Sequence, residues 1–349
     1  MLLLRTSIEI LPGGLKDWES TEVPSDAPNP SQDFPFLFVE GNLGIPKKIL
    51  CALYLATTSS VPWRRSSNIR EITAATSCIL LLNPAHQTAL NSRKRLIRDG
   101  HLDPEKELTF TELLLRGLTE CAKQSIIWDH RRWCFGELYG VMGSELSTIP
   151  PCVEHWSTPE ERQTFPKIPP AAIQHELSVI QHTCQTYPRN YHAWAHWHFI
   201  INVCHALVYF HSPTTDSDEP EPLAGRRQDF LDVIIAESTR LRGWVELNVS
   251  DYSAMHQLCQ IQKLIEQLLH SGILVPDSAK NLTSSALAEQ SLSLVTAFPS
   301  HESLWMYLRI TLGIIPAENR TAILEKIKAK DASTTSPFVR RLINWSTKI

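Results

Sequence analysis

Apolar residues recur at helical spacing through most of the chain, in paired stretches separated by a short polar break. Ile72, Ala75, Ile79 and Leu82 lie on one face of a helix, and Ser92 to Ile97 follow as a second. The same pairing predicts helices through Leu108–Leu118 and Asp129–Leu138, then Ile173–Cys184 and Ala195–Val208. It continues through Phe230–Leu247 and His256–Leu269, and through Leu287–Ala297 and Trp305–Leu312. Glu71, Glu107, Glu176 and Glu289 stand near the starts of four first helices, where a carboxylate complements the helix dipole.

The five breaks can be laid over one another: Asn83–Leu90, Cys121–Trp128, Tyr187–Trp194, Asn248–Met255 and Phe298–Trp305. A large apolar residue (Leu90, Trp128, Trp194, Met255 or Trp305) stands six positions after a Pro, or after the Ala122 or Val249 that replaces it. Proline ends the first helix because it lacks an N–H and restricts the residue before it. The large side chain then enters the second helix and fills the space between the pair. A single hairpin leaves apolar surface uncovered, and stacked hairpins cover it. The chain is therefore expected to be all-α, a right-handed α-α superhelix (solenoid) of about five helical hairpins.

Spacings of 38, 66, 61 and 50 residues between the large apolar positions mark where the repeat is interrupted. A Pro-rich insert falls near 144–170, and an acidic insert near 212–224 contains Asp216, Asp218, Glu219 and Glu221. Residues 1–46, with Pro24, Pro28, Pro30 and Pro35, read as an irregular arm preceding a repeat domain over 47–349.

Composition removes several function classes. The 349 residues carry 33 Lys+Arg against 37 Asp+Glu, a net charge of −4, which argues against a dedicated nucleic-acid binder. No apolar run reaches the roughly 18–20 residues that span a bilayer, so no stable membrane insertion is expected. The eight cysteines lack Cys-x-x-Cys spacing and sit mostly in apolar helical stretches, the pattern of free thiols in a cytoplasmic protein. Neither a Gly-x-Ser-x-Gly turn, a phosphate-binding glycine loop nor a His-Glu-x-x-His motif is present, and no metal site or bound cofactor is expected in this chain.

Two stretches give the repeat a family likeness. Trp128-Asp-His-Arg-Arg-Trp133 and Pro188-Arg-Asn-Tyr-His-Ala-Trp-Ala-His196 resemble the repeat of protein prenyltransferase alpha subunits, roughly Pro-Lys-Asn-Tyr-x-x-Trp-x-His-Arg-Arg-Trp. Val249-Ser-Asp-Tyr-Ser-Ala-Met-His256 is similar to a stretch of a divergent branch, the alpha-subunit repeat-containing proteins. The resemblance covers roughly residues 50 to 312. Leu90, Ala122, Ser125, Trp197 and Gln257-Leu258 depart from the family pattern and fit the divergent branch better.

The resemblance implies an alpha-type subunit of a heterodimeric protein prenyltransferase, inactive alone. Its beta subunit would hold the zinc and the substrate thiolate, and the reaction would move a farnesyl or geranylgeranyl group from an isoprenoid diphosphate to a C-terminal cysteine of a protein substrate. The positions matching the family's diphosphate-stabilising residues are Lys123, Tyr191 and His192, with Arg189 as a further cation toward substrate. A lysine suits a phosphate oxygen, and Tyr and His can donate to the same anion. Structural roles fit the same residues: Lys123 as a solvated turn residue, Tyr191 as packing, and His130 and His196 as structural hydrogen-bonding groups in one repeat slot. Arg131 and Arg132 would join carboxylates or turn carbonyls of neighbouring hairpins. A non-catalytic helical-repeat scaffold for protein–protein interaction is the alternative function.

Overall fold

The computed structural model describes residues 8–12, 35–39, 42–59, 68–141, 168–210, 221–273, 281–331 and 337–347. The Pro-rich insert falls outside them except for its last three residues, 168–170. So does most of the acidic insert, whose last residues begin a helix at Glu221. Cys152 is likewise outside. The chain divides into two compact units: Met1–Thr148, Thr158–Ile168 and His175–His196 form one, and Ile149–Ser157, Pro169–Gln174 and Trp197–Ile349 the other.

Fourteen helices are present among the described residues, and the fold class is the all-α helical repeat. They are α1 (Lys47–Ser59), α2 (Ile69–Leu82), α3 (Gln87–Arg98), α4 (Pro104–Gly117), α5 (Thr119–Ala122), α6 (Ser125–Tyr139), α7 (Pro170–Thr186) and α8 (Tyr191–Phe210). The remainder are α9 (Glu221–Leu247), α10 (Tyr252–His270), α11 (Ser284–Ala297), α12 (Glu302–Ile314), α13 (Ala317–Asp331) and α14 (Pro337–Ser346). Each stretch predicted from apolar spacing lies inside one of them, except that Leu118 is the C-cap of α4. In the first unit α2 packs on α3 and α4 on α6; in the second, α9 packs on α10 and α11 on α12.

The N-terminal segment departs from its irregular reading. Three short strands, β1 (Ile8–Leu11), β2 (Leu37–Val39) and β3 (Asn42–Pro46), form a sheet in the order β1-β3-β2. β1 runs parallel to β3 with Ile8 opposite Leu43, and β2 runs antiparallel to β3 with Leu37 opposite Gly44. Ile8, Ile45 and Leu50 are buried together against Leu81, Leu82 and Leu113, so the sheet closes one end of the first unit's core. Strands of three to five residues carry too little alternation to be recognised singly.

Gly117 permits this docking. A Cβ there would collide with the Ile8 carbonyl oxygen. Gly117→Ala should therefore push β1 off α4 at a cost of about 1–3 kcal/mol. Amide hydrogen exchange across 42–46 reports it: the β3 protons should exchange faster while α6 stays protected.

Candidate functional site

The break between the helices of a hairpin has a common construction. Its fourth residue is the N-cap of the second helix in every repeat: His86, Gln124, Asn190, Asp251 and His301 precede α3, α6, α8, α10 and α12. Three of them cap with their side chains. His86 Nδ1 accepts from Ala89 N at 3.1 Å, Asn190 Oδ1 from Ala193 N at 3.2 Å and Asp251 Oδ1 from Ala254 N at 3.1 Å.

The six-residue spacing to tryptophan now has a physical reason. Trp128 Nε1 donates to the Ala122 carbonyl at 2.9 Å, and Trp305 Nε1 donates to the Pro299 carbonyl at 2.8 Å. In these two breaks the indole reaches back six residues to a main-chain carbonyl of its own break. Tryptophan is the apolar side chain large enough to fill the gap and equipped with an N–H for that acceptor.

Behind the breaks, charge is buried in matched sets. Arg93 makes a two-bond fork to Glu107, Nε to Oε1 at 2.8 Å and Nη2 to Oε2 at 2.6 Å, and His130 Nε2 meets Glu107 Oε1 at 2.8 Å. One repeat later Arg131 forks to Glu176, Nε to Oε2 at 2.8 Å and Nη2 to Oε1 at 2.7 Å, with His196 Nε2 at 3.0 Å from Oε2. Arg131 Nη1 also donates to the Leu108 carbonyl and to Thr111 Oγ1. Glu107 and Glu176 thus anchor adjacent hairpins rather than merely facing helix dipoles. Of the other two, Glu289 makes a surface pair with Lys326 at 3.0 Å and Glu71 lies in the first turn of α2. Half-buried Arg132 contacts Asp129 of its own helix at 3.6 Å. In the second unit, Trp197 stands where the repeat expects arginine and its Nε1 donates to Glu237 Oε2 at 2.7 Å. The departure keeps a donor aimed at a glutamate and gives up the charge, which Arg240 restores by forking to the same carboxylate.

These sets are structural in their electrostatics. Burial alone would raise the pKa of Glu107, but hydrogen bonds from His130 and Arg93 overcome it and hold the carboxyl at about 2. Glu176 is buried too, and the Arg131 charge together with the His196 hydrogen bond brings it to about 2. Burial lowers the pKa of His130 and His196, so both are neutral and donate Nε2–H. Cys134 Sγ lies 3.7 Å from His130 Nε2, yet burial pushes its pKa up and leaves a thiol rather than a nucleophile.

The residues singled out by family likeness lie on two breaks of the first unit. Lys123 follows α5, and its Nζ bonds Glu120 Oε1 at 2.7 Å and sits 5.1 Å from the centroid of the Tyr187 ring. The hydrogen bond to Glu120 raises its pKa, so it is a full cation. Tyr191 is 67 % exposed at the start of α8, with its ring edge-on to that of half-buried His192 at 5.7 Å. Arg189 is exposed, with a left-handed backbone at φ 61°. The contact of Lys123 with Tyr187 brings its break beside the one carrying Arg189, Tyr191 and His192.

Two residues of this arrangement escaped the sequence. Glu120 lies three positions before Lys123 on a four-residue helix, too short to show periodicity. Asn190, 1 % exposed, caps α8 through Oδ1 and donates Nδ2 to the Ala122 carbonyl at 2.8 Å. Its match to the repeat was visible, but not that its amide would span 68 residues of sequence.

Residues 173–204, which contain this Asn-Tyr-His-Ala-Trp run, match the protein prenyltransferase alpha subunit repeat. One stretch of the chain is thus similar to that repeat. It is similar to protein prenyltransferase alpha subunit repeat-containing protein 1-A of Xenopus laevis, 25 % identical over 338 residues, covering 87 % of this chain and 69 % of that protein. The Homo sapiens repeat-containing protein 1 is 26 % identical over 305 residues, 79 % of this chain and 68 % of its own length. That of Danio rerio is 27 % identical over 256 residues, 67 % and 52 %. Among the described residues, no helix of this repeat protein is long and apolar enough to cross a membrane.

Proposed function

We propose that the chain is the alpha-type subunit of a heterodimeric protein prenyltransferase acting in the cytoplasm. One observation carries the reading: Lys123 and the 187–192 break, the positions matching the family's diphosphate set, sit side by side in the first unit. The partner would be a prenyltransferase beta subunit, whose zinc holds the acceptor cysteine as a thiolate. In the transfer, the sulfur–carbon bond forms while the carbon–oxygen bond to the diphosphate breaks, leaving a more negative diphosphate. Lys123 supplies a compact cation for that anion, Tyr191 and His192 supply donors, and exposed Arg189 adds a second positive charge.

Glu120 sets the terms of binding. It neutralises Lys123 in the free chain, so an incoming diphosphate must displace it. The pair is surface-exposed and screened by water, so it holds Lys123 more weakly than a multiply charged anion would. The same pairing is what favours the second reading, a repeat scaffold that binds a partner protein without transfer chemistry.

The deciding experiment is co-purification of the chain with prenyltransferase beta subunits, then a transfer assay with farnesyl and geranylgeranyl diphosphate on a protein ending in a cysteine motif. Lys123→Ala should leave the complex intact and lower kcat/KM by about 10²-fold, the scale of removing one oriented donor from a developing anion. Absence of a complex with any beta subunit would overturn the reading. An unchanged rate for Lys123→Ala in an active complex would remove the diphosphate role and favour the scaffold.

A further inference from the structure

We propose that Asn190 is a positioning residue that fixes Lys123 against the Tyr191–His192 pair; this rests on the diphosphate reading above. The inference starts from a carbonyl with two buried donors. Ala122 O receives Trp128 Nε1 from its own hairpin at 2.9 Å and Asn190 Nδ2 from the next hairpin at 2.8 Å. Ala122 is the residue immediately before Lys123, and Asn190 the residue immediately before Tyr191. One amide therefore ties the main chain beneath the cation to the main chain beneath the donors. Its other end is committed as well, because Oδ1 accepts from Ala193 N and starts α8. With both polar atoms bonded and the side chain 1 % exposed, the amide has a single orientation.

The backbone around it supports the assignment. Arg189 holds a left-handed φ of 61°, a conformation that L-residues other than Asn and Asp adopt rarely. That twist turns Asn190 inward while Arg189 stays exposed. Local strain is retained where surrounding bonds over-determine it, and the two hydrogen bonds of Asn190 are those bonds. The other caps stay within their own hairpins: Asp251 accepts from Ala254 N and Trp244 Nε1, His86 from Ala89 N, and Gln124 makes no cap bond, while the one comparable tie between breaks among the described residues runs from the hydroxyl of Ser303, not from a cap, to the Val249 carbonyl. A carboxylate such as Asp251 has no N–H to give a neighbouring carbonyl.

The test separates the tie from the cap. Asn190→Ser retains a capping oxygen but is too short to reach Ala122, and Asn190→Asp keeps the shape while removing the N–H. Amide hydrogen exchange on the full chain should show the 120–125 amides of either variant exchanging up to about tenfold faster, the scale of one lost hydrogen bond, with α4 unchanged. In the complex with a beta subunit, each variant should raise the KM for isoprenoid diphosphate roughly 3–10-fold with the affinity between subunits unchanged. Combined with Lys123→Ala, the Asn190 substitution should add nothing further to that KM, because the residue acts through Lys123. A general structural role would give additive losses in the double variant, and that result would overturn the proposal. So would Lys123→Ala weakening diphosphate while neither Asn190 variant changes KM or exchange at 120–125. If Lys123→Ala itself has no effect, the diphosphate reading falls and the positioning role falls with it. Faster exchange at 120–125 would then show that the tie exists but serves folding alone.

Discussion

Glu176→Ala should destabilise the protein by about 3–5 kcal/mol, seen as a lowered urea midpoint, because it strands a buried guanidinium. Arg131 is fully buried, and its Nε and Nη2 both point at Glu176. Removing the carboxylate leaves that charge without its counterion and His196 without its acceptor. The loss measures the cost of breaking the set rather than its net worth. Replacing both ends, Arg131→Met with Glu176→Leu, should recover most of the stability, since no buried charge is then left unpaired.

The same sets predict acid sensitivity. Glu107 and Glu176 have folded pKa values near 2, below the ordinary 4.5. Their contribution is fully present above about pH 4.5 and is lost as pH falls toward 2, because the unfolded chain takes up protons first. Each glutamate draws its histidine toward the charged form, but burial opposes that charge, and the arginines already supply the cation. His130 and His196 are therefore held below the ordinary 6.5, and stability begins to decline once pH drops past that value. Urea midpoints measured from pH 7 down to pH 3 should show this slope. Below about pH 4.5 it should flatten in the Arg131→Met, Glu176→Leu variant, which removes one of the two glutamates, while the histidine part persists because His196 stays buried.

Trp128→Ala should cost about 3–5 kcal/mol, the range for deleting a fully buried aromatic side chain. Trp128 is 1 % exposed, and its ring packs 5.5 Å from that of His196, so the void would open against the second charge set. Trp128→Phe isolates the polar part. It retains most of the volume and loses the bond to Ala122 O, which Asn190 still satisfies, so the expected cost is about 1 kcal/mol. Calorimetric melting of both variants distinguishes packing from hydrogen bonding. Equal losses would mean that the indole N–H, not its bulk, explains the six-residue spacing.

Much of the repeat was legible because its causes are local. A 3.6-residue apolar period is written along each helix, and proline, cap and tryptophan fall within eight consecutive residues. The helices after the fifth hairpin, α13 and α14, were absorbed into the domain without being distinguished. Their charged stretches, such as Glu325, Lys326 and Lys328, blur the apolar face. The sheet was missed for a different reason: Ile8 finds Leu43 across a long and uninformative stretch, and parallel pairing leaves no turn signature. At the candidate site, family likeness supplied Lys123, Tyr191, His192 and Arg189. It did not supply Glu120 as the partner of Lys123, nor the second bond of Asn190.

By itself the sequence determined that hairpins form, where each breaks, and which large side chain fills the break, since all of that is settled between neighbours on one helix or turn. Tertiary structure alone decided which charges meet. Arg93 finds its glutamate 14 residues onward and Arg131 finds its own 45 onward, across an insert of unrelated composition. No spacing rule could equate those two distances. They become equivalent only when stacked hairpins bring the same helix faces together and burial leaves each guanidinium a single carboxylate to pair with.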